Sequence, residues 1–153
     1  MSAKDVRHMS AKEQSIQVDA LLDTSIISAM LDVQTDLRAQ DEVFGAIGSY
    51  GVVGVPVVAY AEYAYGIENS EKVSATYEML YELIKDMPIV PITGNTVQPY
   101  IQARQAVDRK RQRLNDVWIA ASALEHSAII LTSDTDFDKF TAFGAQVRRI
   151  SLN

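Results

Sequence analysis

The sequence predicts an α/β fold: a parallel sheet covered by helices on both faces. Three observations lead there. Apolar runs of four or five residues recur along the chain, and helix-period stretches separate them. Strands of that kind, buried on both faces, belong to parallel sheets. The length, 153 residues, suits one domain around one core.

The elements follow in order. MSAK occurs at Met1–Lys4 and again at Met9–Lys12, and residues 1–17 read as a polar tail outside the domain at 18–153. Val18–Leu22 reads as a buried strand. Thr24–Leu31 can begin a helix at once, with Asp23 or Thr24 at its cap. Asp36–Ile47 is a second helical stretch, ended by Gly48 and Gly51. Val52–Val55 is a strand, and Pro56 suits the first turn of a helix running to about Ile67, because its missing N–H has no partner there. Ser70–Lys85 repeats apolar and aromatic residues at helical spacing. Ile89–Ile92 is a strand. Gly94–Arg113 reads as mostly helical, with Pro99 in an early turn or a kink. Asn115 can cap a helix over Asp116–His126. Ala128–Leu131 is a strand, Asp136–Phe140 a short turn or helix, and Val147–Ile150 a last strand.

Composition narrows the chemistry. Apolar residues make up 48% and charged residues 22%, as in ordinary globular proteins. No apolar run approaches the roughly 20 residues of a membrane span, and the N-terminus lacks the apolar segment of a signal peptide. The expectation is a cytoplasmic protein with no membrane partner. There is no cysteine, which removes disulfides, thiolate ligands and thiol nucleophiles. Only two histidines exist, His8 in the tail and His126 near a helix end, a poor basis for a histidine acid–base pair. No GxSxG elbow, GxGxxG fingerprint or Walker A loop is present. Carboxylates remain.

Those carboxylates are distinctively placed. Asp23 follows the first strand and Asp134 the fourth, with Asp136 close by, while Glu62 and Asp116 lie on helices that can face the same edge. In open α/β sheets the ligand site lies beyond the carboxyl ends of the strands. Two carboxylates about 4 Å apart repel by about 4 kcal/mol at an effective dielectric of 20. Converging acids therefore call for a cation. Mg²⁺ or Mn²⁺ takes oxygen ligands and activates water for attack on phosphorus. The net charge of −6 speaks against nucleic acid at face value, but Arg104, Arg109, Lys110, Arg111 and Arg113 cluster in one stretch.

Four motifs then carry a resemblance: LLDTSII at Leu21–Ile27, AEYAYG at Ala61–Gly66, NDVWIAASA at Asn115–Ala123 and LTSDTDF at Leu131–Phe137. In this order they resemble the PIN-domain ribonucleases, and most of all the VapC-type toxins of toxin–antitoxin pairs. Tyr63 stands where that family usually has leucine. The resemblance covers roughly Val18 to Ile150 and implies a three-layer α/β/α sandwich. It implies Asp23, Glu62, Asp116 and Asp134 as the catalytic acids, and Asp23, Asp116, Asp134 and Asp136 as the metal-holding set. Thr24, Ser25, Thr132 and Ser133 would support them by hydrogen bonds. Arg109, Lys110, Arg111 and Arg113 would contact RNA phosphates. The implied activity is a Mg²⁺- or Mn²⁺-dependent endoribonuclease, the toxin of a type II pair, with a cognate antitoxin blocking the acidic groove and a homodimer as the assembly.

Each residue also has a plainer reading. Asp23 and Asp116 can be helix-end acids only. Glu68 competes with Glu62, and Asp138 with Asp134 and Asp136. The basic stretch can be a solvated helix face. The tyrosines Tyr60, Tyr63, Tyr65, Tyr77 and Tyr81 suit packing or an interface, with one or two left for base stacking. Trp118 reads as packing. The competing functions are a PIN-domain RNA-processing nuclease without an antitoxin and a catalytically inactive PIN-like RNA-binding or interaction module. A receiver-like or phosphatase-like domain fits poorly, because Asp23 is followed by Thr24 and Ser25.

Overall fold

The computed structural model describes residues 16–32, 35–70, 73–110 and 114–152. Strands β1 (Ala20–Leu22), β2 (Val53–Pro56), β3 (Ile89–Val90), β4 (Ile129–Thr132) and β5 (Gln146–Arg149) form one sheet in the order β3-β2-β1-β4-β5. Every pairing is parallel, as the alternating pattern predicts. Helices α1 (Thr24–Leu31) and α2 (Leu37–Gly48) join β1 to β2. Helices α3 (Val57–Glu68) and α4 (Val73–Ile84) join β2 to β3. A 3₁₀ turn (Gly94–Thr96), α5 (Val97–Arg104) and α6 (Asn115–His126) lead to β4, and a 3₁₀ helix (Thr135–Phe143) leads to β5. Right-handed crossovers put α1–α4 on one face and α5, α6 and the 3₁₀ helix on the other. The packing agrees: α1 touches α2, α3 and α4, while α5, α6 and the 3₁₀ helix touch one another. This is the expected three-layer sandwich. No described helix is long and apolar enough to cross a membrane.

The core is the sheet itself. Leu21, Leu22, Val55, Ile130 and Leu131 are fully buried, and Ile26, Ile27, Ile119, Phe137 and Phe140 close over them. Gly54 is required in β2, because a Cβ there would come within 2.9 Å of Val18 Cγ1.

Several expected boundaries shift for local reasons. β3 stops at Val90, since Pro91 cannot donate to a ladder. Pro56 remains in β2 and caps α3 instead of opening its first turn. The long helix expected to Arg113 ends at Arg104, whose guanidinium turns back to the Val107 carbonyl at 2.9 Å. Pro99 does sit in the first turn of α5. α6 begins at Asn115 with Leu114 at the cap and no side-chain cap bond, so Asn115 is not the capping residue. Residues 1–15, 71–72 and 111–113, which include most of the predicted tail together with Arg111 and Arg113, lie outside the described residues.

Candidate active site

The strand order reverses direction between β1 and β4, so the crossovers leaving those two strands diverge to opposite faces and open a crevice. Asp23 follows β1 directly, and Asp134 lies two residues past β4. Helices α3 and α6 come from opposite layers and meet over this edge. They bring Glu62, Asn115 and Asp116. Together with Thr24, Ser25 and Leu114 these residues line a cleft of 450 Å³.

Asp23 is the best-anchored of the acids. It is 5% exposed, a position that costs free energy for a carboxylate unless hydrogen bonds offset it. Three do. Oδ1 accepts the Thr24 N–H at 2.7 Å, and Oδ2 accepts the hydroxyls of Ser25 and Thr132, each at 2.8 Å. Each hydroxyl in turn accepts a backbone N–H of the loop after β4: Ser133 to Ser25 Oγ and Asp134 to Thr132 Oγ1, both at 3.0 Å. Asp23 is thus at once the N-cap of α1 and the centre of a network joining the ends of β1 and β4. Asp23 therefore both caps α1 and lines the cleft.

The opposite wall is different. Asp116, in the first turn of α6, has its carboxyl pushed up from 3.8 to about 6. Burial is the main cause, and the charges of Asp23, Glu62 and Asp134 add to it, while Lys139 acts the other way. Glu62 is also raised, first by burial and then by Asp23; hydrogen bonds from Thr24 and Asn115 oppose the shift. The Thr24 hydroxyl donates to Glu62 Oε1 at 3.4 Å. Glu68, the rival acid of α3, faces elsewhere and accepts the Tyr77 hydroxyl at 2.7 Å.

Asp134 caps the 3₁₀ helix by accepting the Asp136 N–H at 2.9 Å. Asp136 is exposed on that turn and is not among the cleft-lining residues, so the structure does not bring it to the other acids. Asp138 is likewise exposed. Ser133 contributes through its backbone N–H. Arg109 and Lys110 are exposed on the segment leading to Leu114, and Arg109 lines a separate cavity with Tyr100 and Arg104. Trp118 stacks on Tyr100 with ring centroids 4.0 Å apart, which makes it a packing residue.

Two contributors escape a linear reading. Asn115 sits beside Asp116, where a cap was the natural expectation, yet its amide reaches Glu62 across the cleft. Lys139 has no motif; its ammonium lies over the Phe140 ring, 5.4 Å from the centroid, within reach of the Asp116 charge.

A family model described as PIN domain matches residues 20–142. The chain belongs to the PIN domain family. Among curated PIN relatives, Ribonuclease VapC5 of Mycobacterium tuberculosis is 29% identical over 89 residues, which are 56% of this chain and 66% of that protein. Among solved structures, the VapBC-5 toxin–antitoxin protein of Mycobacterium tuberculosis superposes with a TM-score of 0.60 at 25% identity, over 88% of this chain and 98% of that one. FitAcB from Neisseria gonorrhoeae gives 0.65 at 25% identity, over 84% and 95%. VapBC2 from Rickettsia felis, bound to a promoter DNA fragment, gives 0.71 at 17% identity over 86% and 98%, a likeness of fold alone. The PIN match begins at the first residue of β1 and ends within the 3₁₀ helix, so it contains all four cleft acids.

Proposed function

We propose that this PIN domain is a metal-dependent endoribonuclease and the toxin of a toxin–antitoxin pair. One observation carries the reading: four acids from β1, α3, α6 and the β4 end line one cleft at the sheet's switch point, in a PIN domain related to a ribonuclease VapC.

The donor set fits a hard divalent cation. All the acids offer oxygen, no sulfur or imidazole lines the cleft, and Asp116 is raised to about 6 by burial and then by the charges of Asp23, Glu62 and Asp134. Among the described residues, no acid of the cleft has a salt-bridge partner. No three acids or histidines among them are already closed around a single point either. That openness suits Mg²⁺, which keeps several waters and takes only one or two carboxylates directly. Of Asp23, Asp116 and Asp134, one or two would hold the ion directly and the rest through water, and Asp136 would reach it at most through water. When bound, such an ion activates water and neutralises charge at a phosphodiester. Glu62, its carboxyl raised by burial and by Asp23, would take the proton of the attacking water as that oxygen bonds to phosphorus and the bond to the leaving oxygen breaks. Thr24 and Asn115 orient that carboxylate, and Ser25 and Thr132 fix Asp23. Arg109 and Lys110, exposed on the segment after α5, would serve RNA phosphates.

A protein partner is supported by a second surface. Met30, Leu31, Phe44, Met79 and Leu83, on α1, α2 and α4, line an apolar groove of 660 Å³ rimmed by Glu78 and Glu82. Exposed apolar patches of this kind mark interaction sites, and the structural relatives include toxin–antitoxin complexes. A homodimer and a cytoplasmic location remain part of the reading.

The decisive test is cleavage of RNA by the purified protein with Mg²⁺ or Mn²⁺, with and without chelator. Cleavage that stops with chelator and returns with added metal is expected. Metal-independent cleavage would overturn the mechanism.

A further inference from the structure

A second cavity lies beside the acidic cleft. It has a volume of 340 Å³, within the range of about 300–1,000 Å³ typical of small-ligand sites. Thr24 and Glu62 line both spaces, so the two adjoin at these residues. Beyond them the second cavity runs between α1 and the far half of α3, past Ser28, Tyr63, Gly66 and Ser70, with buried Ile67 at its floor.

The chemistry of this lining is specific. Among the described residues that line it there is no lysine or arginine. It offers instead an aromatic ring and hydroxyls, which can each give or accept a hydrogen bond. The Ser70 hydroxyl donates to the Ile67 carbonyl at 2.8 Å and keeps its lone pairs for an incoming donor. Tyr63 is half-buried against the core, and its phenol is pushed up by that burial and by the Asp32 charge. A Cβ at Gly66 would meet nothing within 4 Å, so a larger side chain there has open space to extend into. On α3, Glu62 and Gly66 are four residues apart, about 6 Å along the axis, and face the same way.

We propose that this cavity is a nucleobase subsite: the base beside the scissile phosphate enters it, stacks on Tyr63 and is read by the hydroxyls of Ser28 and Ser70. Single-stranded RNA is recognised in this manner, with unpaired bases stacked on aromatic side chains and hydrogen-bonded at their edges. The subsite makes Tyr63 a specificity-determining residue and leaves bond cleavage to the acids. The proposal rests on the ribonuclease reading above.

Three variants test it: Tyr63→Leu removes the ring, Tyr63→Phe keeps it, and Gly66→Leu fills the cavity while leaving Tyr63 in place. Two readouts are needed. The first is base preference at each position flanking the cut, in a randomised single-stranded RNA with Mg²⁺ or Mn²⁺. The second is binding of short RNAs of differing base composition to chelator-treated protein. Tyr63→Leu and Gly66→Leu are expected to flatten the preference at one flanking position and to weaken binding of the preferred RNA about fivefold or more. Tyr63→Phe should retain both, and all three should melt close to the wild type. Unchanged preference and binding in folded Tyr63→Leu and Gly66→Leu overturn the subsite. A wild type that does not cleave RNA overturns the ribonuclease reading. In that case, base-selective binding lost in both variants would still support the subsite, and its retention would refute it.

Discussion

The two walls of the acidic cleft hold their carboxylates by opposite means. On the β1–β4 wall, Asp23 accepts three hydrogen bonds, from Thr24 N, Ser25 Oγ and Thr132 Oγ1. On the α6 wall, Asp116 is raised to about 6 by burial and by three neighbouring acids. The first carboxylate is part of what joins two strands; the second is held against its neighbours by the rest of the fold. One cleft therefore combines a structurally anchored acid with a destabilised one whose charge a cation would relieve.

The comparison breaks most visibly at Asp23. Asp23→Asn replaces an acceptor-only group with one that also donates, so either the Thr24 N–H or the two hydroxyls lose their acceptor. Leaving buried donors unsatisfied costs about 1–3 kcal/mol per group. Relief of repulsion recovers part of this, and a net loss of about 2 kcal/mol in urea unfolding is expected. An unchanged midpoint would show that the network contributes nothing to stability.

Asp116→Asn should have the opposite sign. The folded carboxyl titrates near 6 rather than 3.8, so the folded protein holds its proton more tightly than the unfolded chain. Stability is then greatest below the unfolded value and falls as pH rises through that window. Replacing Asp116 removes the loss. The gain should be absent below about pH 4 and complete above about pH 6. At about 1.36 kcal/mol per pH unit, discounted for solvent screening, it should reach about 1–2 kcal/mol. Thermal melts of both proteins in chelator from pH 3.5 to 8 check this; a loss of stability at pH 8 would make Asp116 a structural residue.

Ser25→Ala is the finest probe. It removes one of the two hydroxyls on Asp23 Oδ2 and leaves the Ser133 N–H without its acceptor. A loss of about 1 kcal/mol is expected, with little change between pH 4 and 7, because the bond does not involve Asp116. A loss that tracks the Asp116 titration would show that the two walls are coupled.

Legibility from sequence follows the same divide. Asp23 was readable because a strand, an acid and a helix start lie within a few residues, and both of its roles are local to that junction. Asp134 was readable for the same reason after β4. α6 and β4 were close to their expected bounds because their apolar period is strong. Asn115 was misread because an Asn before an acid at a helix start has a strong local use as a cap, and nothing nearby marks the partner on α3. The helix after Gly94 was carried past Arg104 because the residues beyond it are compatible with a helix, whereas a side-chain bond to Val107 ends it.

Local pattern was enough for the sheet's parallel character, the order of the elements and the placing of Asp23, Asp116 and Asp134, because periods of 2 and 3.6 residues and capping preferences act over short stretches of chain. The choice of Glu62 over Glu68, the outlying position of Asp136, the reach of Asn115 and Lys139, and the cavity beside Tyr63 came from the folded arrangement. Those features depend on which strands lie side by side and how deeply each charge is buried. The hydroxyl of Thr132 meets Asp23 across 109 positions of chain. Hydrogen bonding and Coulomb repulsion act through space, so no spacing along the sequence encodes them directly.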